Sequence, residues 1–221
     1  MLNMTELQRD TITELLNIGM GRAAAALSEM VGEEVALSVP CVEVLSRRDA
    51  AVLVRGKGCE RIVAVLQEFS GSFWGDTMLV FPEDQSLALV HSLIKDTFPL
   101  DIMTEMEQEA LMEVGNITLN ACIGSIANIL QSEVSSSLPS LLRGPCETIF
   151  GDKNGVQVDH EVVMFLRMDF ALHARDMHGC VIFLVDGDAI RMLREHIDQF
   201  LDQPLNLIET AMDHPYVAEA H

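Results

Sequence analysis

Five residues of this 221-residue chain come back at one spacing: Thr5, Glu14, Asn17, Ile18 and Pro40 recur as Thr104, Glu113, Asn116, Ile117 and Pro139, each 99 positions later. An internal duplication constrains the fold more than composition does, because two copies of one unit must bury equivalent faces and reach one shared arrangement.

The copies agree in outline. TELQ at Thr5 to Gln8 and TEME at Thr104 to Glu107 both read as capping boxes, each opening a long helix. Apolar residues at helical spacing, Leu7, Ile12, Leu15, Leu16 and Leu27 in copy one and Met106, Leu111, Met112, Ile117 and Ile126 in copy two, predict the core-facing stripes. β-rich sequence follows: EEVALSV leading to Pro40, then RIVAVLQEF from Arg61 and FWGDTMLVF from Phe73, matched by EVVMFLRMDF from Glu161 and GCVIFLV from Gly179. A further helix is expected after each hairpin, from Pro82 and from Asp186, with acids in the first turn where the helix dipole favours them.

The stretch Arg143 to His160, with its turn-forming DKNG, reads as a loop or hairpin inserted in copy two. The expected architecture is a single α+β domain over residues 1–221. Repeat one spans 1–99 and repeat two 100–205, they share a central, mostly antiparallel sheet, and two long helices lie side by side on one face. Residues 206–221 form a loosely held tail. A monomer is expected, since the duplication already supplies a dimer-like pairing.

Composition narrows the function. With 34 acidic against 14 basic residues, the net charge of −20 disfavours nucleic acid and anionic lipid surfaces and suits a basic patch on a protein partner. The five cysteines are scattered without a C-x-x-C pair, as reduced thiols in a cytoplasm would be. The first ten residues lack a leader pattern, and no apolar run approaches the roughly 20 residues of a membrane span. A soluble cytoplasmic protein is expected.

On each long helix the positions i, i+4, i+7 and i+11 share a face. They hold Asp10, Glu14, Asn17 and Gly21 in copy one, and Glu109, Glu113, Asn116 and Asn120 in copy two. A polar stripe is ordinarily the solvated side of a helix, but its recurrence in the same register argues for use. A carboxylate can grip a cation on another molecule, while an amide, both donor and acceptor, can orient a water. That division of labour suits attack on an electrophile that is already activated, as in phosphoryl transfer. It does not suit two-carboxylate acid–base chemistry, and a metal site between two helices would want histidines or more acids.

The pattern Asp-x-x-x-Glu-x-x-Asn, then twenty-two residues, then Pro, occurs as Asp10, Glu14, Asn17 and Pro40 and again with Glu113, Asn116 and Pro139. It resembles the CheC/CheX/FliY family of chemotaxis phosphatases, over nearly the whole chain. Two departures stand out: Glu109 where Asp or Ser is usual, and Asn120 in place of a small residue. The resemblance implies hydrolysis of the aspartyl phosphate of a CheY-like response regulator. Asn17 and Asn116 would hold the water, and Glu14 and Glu113 would grip a regulator lysine, with Asp10 and Glu109 as supporting residues. Mg2+ would arrive with the regulator, so the chain needs no cofactor of its own. The alternative is a non-catalytic module that sequesters a regulator or binds CheD, or a flagellar-switch component.

Other features read as structural. Pro40 and Pro139 are expected where a strand ends or turns, and Trp74 and the 13 methionines are expected mainly in core packing. Gly19, Gly21 and the run Ala23 to Ala26 suggest close helix contact rather than a nucleotide loop. His173 and His178 flank Asp176 as a metal-site candidate, but without a third well-placed ligand they read as a solvated hairpin tip, and Ser28 and Ser132 have no evident catalytic partners.

Overall fold

The computed structural model describes residues 4–32, 34–38, 40–55, 60–86, 104–153, 156–157, 162–172 and 177–202. Copy one runs α1 (Glu6–Val31), β1 (Ala36–Leu37), β2 (Cys41–Ser46), α2 (Arg47–Arg55), β3 (Arg61–Gly71) and β4 (Gly75–Pro82). Copy two runs α3 (Glu105–Ile129), β5 (Val134–Ser136), β6 (Ser140–Pro145), α4 (Cys146–Gly151), the inserted hairpin β7 (Asp152–Lys153) and β8 (Val156–Gln157), β9 (Val162–Leu172), β10 (Met177–Asp186) and α5 (Gly187–Leu201). The metal candidates His173 and Asp176, the helix expected beyond residue 86, and the tail from 206 lie outside the described residues.

Both long helices start where the capping boxes place them. The Thr5 hydroxyl accepts from the Gln8 amide N–H at 3.2 Å and Gln8 Oε1 accepts from the Thr5 N–H at 3.0 Å; Thr104 and Glu107 repeat the exchange at 3.3 and 2.6 Å. Pro40 and Pro139 immediately precede β2 and β6, so the missing N–H falls before the ladder begins.

The main sheet is antiparallel, in the order β1-β9-β10-β4-β3-β5, with β2 also on β9 and β6 also on β3. This order is a palindrome in the repeats, with the two-fold between β4 and β10. Each copy lends its opening strands to the other copy's hairpin, in equivalent registers: Val44 faces Met164, and Arg143 faces Val63. From Val44 to Arg143 is a step of 99, and from Val63 to Met164 a step of 101. The extra two residues fall where copy two carries the β7–β8 hairpin.

Both faces of the central strands are buried, which is why they read as unbroken apolar runs. Val63 and Val65 pack toward α1, α3 and α5 with Leu15, Leu111, Val114 and Leu193. Ile62 and Ala64, alternating with them, pack toward α2 and α4 with Ala50, Val54 and Phe150. Helix α3 is long and apolar enough to cross a bilayer by length and composition, but its apolar side, Leu111, Val114, Leu119, Cys122 and Ile126, is buried within this core.

Four expectations need correction. Trp74, expected in core packing, is 36% exposed. Leu7, Met106 and Ile117 are not core: they are 60%, 65% and 36% exposed. Leu7 stands one turn before Asp10, and Ile117 one turn after Glu113, so helical geometry puts them on the polar side. The β-run before Pro40 reduces to the two residues of β1. The short helices α2 and α4 were not foreseen, although Ser46 and Asp49 carry a signal for the first: the Asp49 N–H donates to Ser46 Oγ at 3.1 Å.

Arg47, at the start of α2, is fully buried and donates to Asp76 Oδ2 at 2.8 Å and Asp186 Oδ1 at 3.0 Å. It ties β4 of one copy to β10 of the other. Asp186, at the N-cap of α5, is drawn into this ion pair and makes no side-chain cap bond.

Candidate active site

Helices α1 and α3 pack directly against each other. A Cβ on Gly19 would come within 3.2 Å of the Cys122 carbonyl oxygen, Cys122 Sγ lies 3.2 Å from Met20 Sδ, and Arg22 Nη1 donates to Ser125 Oγ at 3.3 Å. Gly19 thus permits the close approach. Gly21 does not share that role, since a Cβ there would meet nothing within 4 Å.

With these faces committed, the polar stripes turn outward. Asp10, Glu14, Asn17, Glu109 and Glu113 are exposed, and Asn116 and Asn120 are half-buried. In copy one, Asn17 Nδ2 donates to Glu14 Oε2 at 3.4 Å, at the outer limit of a hydrogen bond. Both groups of that pair are therefore loosely held and open to solvent.

Copy two is built more tightly. Gly115, next to Asn116, lets α3 settle on β3: a Cβ there would fall 2.4 Å from Val65 Cγ1 and 2.6 Å from Val65 Cβ. Two residues along the same face of β3 is Gln67, whose Nε2 donates to Asn116 Oδ1 and to the Ser137 carbonyl, each at 3.0 Å. Asn120 Nδ2 adds a second donor to Asn116 Oδ1 at 2.8 Å. Around Asn17 the positions equivalent to Gly115, Gln67 and Asn120 are Leu16, Met168 of β9 and Gly21, none of which can make this network. Sequence reasoning missed Gln67, although strand alternation from Val63 and Val65 places it on the helix-facing side of β3.

The stripe residues line neither a cavity of about 440 Å3 bordered by Leu37, Val54, Val80, Phe170 and Cys180, nor a small internal one among Ile12, Phe69 and Phe183. A carboxylate and an amide on an open helix surface do not enclose a small molecule. Among the described residues no group of three or more His, Cys, Asp or Glu is placed to hold a metal. Ser28 Oγ accepts from the Val35 N–H and Ser132 Oγ donates to the Leu130 carbonyl, as structural hydroxyls do.

No family model matches the chain. Over 194 residues it is 25% identical to the CheY-P phosphatase CheC of Bacillus subtilis, covering 85% of this chain and 92% of that relative. The crystal structure of Thermotoga maritima FliY superposes with a TM-score of 0.70 at 18% identity, covering 89% of this chain and 98% of that one. These likenesses support assigning the chain to the CheC/CheX/FliY family. A third relative by fold is the CheX component of a CheX–CheY–BeF3–Mg complex from Borrelia burgdorferi, with a TM-score of 0.51, 16% identity, and 79% and 99% of the two chains covered. The α+β fold, with its antiparallel sheet and helices, is the one these family members share.

Proposed function

We propose that this CheC/CheX/FliY family member hydrolyses the aspartyl phosphate of a phosphorylated CheY-like response regulator. The observation that carries the reading is the Glu–Asn pair itself, repeated on two adjacent helices with its carboxylate exposed both times. The similarity to a protein named CheY-P phosphatase over 92% of its length supports it. So does the fold likeness to a CheX found in complex with CheY.

In this reading Glu14 and Glu113 pair with a lysine of the regulator and fix the docked orientation. Asn17 and Asn116 hold the attacking water in line with the phosphorus. The water oxygen bonds to phosphorus as the bond to the aspartate oxygen breaks, leaving a free carboxylate and inorganic phosphate. The substrate is a reactive mixed anhydride, so positioning is the main requirement and no strong base is needed. Mg2+ belongs to the regulator's phosphorylation site and comes with the substrate. The acidic surface speeds encounter with a basic docking face more than it strengthens the complex.

The test is the lifetime of the phosphorylated cognate regulator with and without the purified chain. The wild type shortens it, and Asn17→Ala with Asn116→Ala together abolish the effect while the fold is kept. An unchanged lifetime with excess wild-type chain rejects the proposal.

A further inference from the structure

Gln67 is an anomaly in the core. It is 1% exposed on a central strand, and its Oε1 has no hydrogen-bond partner, a condition that is costly inside a protein. Met168, at the equivalent place in copy two's strand, fills the same kind of site with no polar atom to satisfy. A core that needed only packing would not hold the amide.

The amide's effect follows from one main-chain atom. The Ser137 carbonyl can only accept, so the Gln67 group facing it at 3.0 Å is the Nε2 donor. Nε2 therefore also faces Asn116, whose side chain must turn its Oδ1 inward to accept at 3.0 Å. Asn120 Nδ2 supplies the second donor to that oxygen at 2.8 Å. Both lone pairs of Asn116 Oδ1 are then in use, and the group left to act outward is the Nδ2 amide. A water that accepts one hydrogen bond from Nδ2 keeps its other lone pair for phosphorus.

We infer that Gln67 is a positioning residue that locks the Asn116 amide with its N–H donors available to the attacking water, an inference that rests on the phosphatase reading above. Gly115 makes the contact possible by bringing α3 onto β3, and the orphaned Gln67 Oε1 is the cost of placing a donor beneath Asn116. The Asn17 site, with Leu16, Met168 of β9 and Gly21 in the equivalent places, has the 3.4 Å contact between Asn17 and Glu14 instead.

The test uses Gln67→Met, which copies the packing at Met168, in two backgrounds of the full chain. With Asn17→Ala, where turnover comes from the Asn116 site, Q67M lowers kcat about tenfold, the loss of one positioning hydrogen bond. Binding of the beryllofluoride-bound regulator is unchanged. With Asn116→Ala, Q67M has no effect. Should Q67M fail to fold, Asn120→Ala removes the other donor and is expected to lower kcat in the first background alone. A second readout does not depend on turnover: the Asn116 side-chain amide signals in a 15N NMR spectrum are sharp in the wild type and shift or broaden in Q67M. Equal kcat in the Asn17→Ala background, an equal loss in both backgrounds, or an unmoved Asn116 signal overturns the assignment. Absence of turnover in every variant, wild type included, instead sinks the phosphatase reading, and the NMR signal still decides the role of Gln67.

Discussion

One substitution made at two places on the long helices should move stability in opposite directions. Gly21 and Gly115 both lie inside helices, so replacing either with alanine gains about 1 kcal/mol of helix propensity. At Gly21 the new Cβ enters open space, so the full gain is kept. For a chain of this length that raises Tm by about 2–4 °C. At Gly115 the same methyl would lie 2.4 Å from Val65 Cγ1 and 2.6 Å from Val65 Cβ. Carbon atoms in contact sit about 3.5–4.0 Å apart, so helix or strand must move by more than 1 Å. The Cβ part of the overlap cannot be relieved by rotating the valine. Overpacking costs about 1–3 kcal/mol and here belongs at the upper end, leaving a net loss of about 2 kcal/mol and a Tm drop of about 4–8 °C. Urea unfolding of the two variants beside the wild type measures both. If Gly115→Ala proves as stable as Gly21→Ala, the close seating of α3 on β3 is wrong, and with it the path by which Gln67 reaches Asn116.

Arg47→Met strands the buried carboxylate of Asp76 and should cost about 3–5 kcal/mol in urea unfolding, part of it recovered by adding Asp76→Asn; a loss under about 1 kcal/mol would contradict the buried pairing. Hydrogen bonds from Arg61 and then Arg143 hold the Glu83 carboxyl below its ordinary range. Its contribution is therefore present above the unfolded value near 4.3 and lost as pH falls through the lower folded value. Glu83→Gln should be less stable than wild type by about 1 kcal/mol or less at pH 7, and the gap should close in acid. Burial pushes the Cys122 thiol up to about 12. The unfolded chain ionises first, near pH 8.5, so stability is lost from there toward pH 12, and Cys122→Ala should show a shallower alkaline decline in Tm.

The sequence announces what local chemistry controls. The Thr5 and Thr104 boxes mark both long helices, the apolar runs mark both hairpins, and the outward stripes follow from the recurrence of Glu14 and Asn17. What it hides depends on partners distant in the chain. The exchange of β2 and β6 between copies is a choice of edge that neither strand's own residues reveal. Gly21 and Gly115 look alike until Val65 is placed under one of them. Leu7 and Met106 match a core stripe by residue type, yet stand a turn ahead of the acids on the exposed side. Gln67 betrays its face by alternation, but its partner comes from a helix some 49 residues further along.

The most direct measurement of the central claim is the yield of inorganic phosphate per chain when a large excess of phosphorylated regulator is mixed with a trace of this protein. The account predicts many equivalents released per chain, faster than the regulator's spontaneous loss, and no release above that background from the chain carrying alanine at both 17 and 116. Release that stops at or below two equivalents, or that matches the spontaneous rate while the two proteins bind, would mean that the paired stripes hold a regulator without hydrolysing its phosphate.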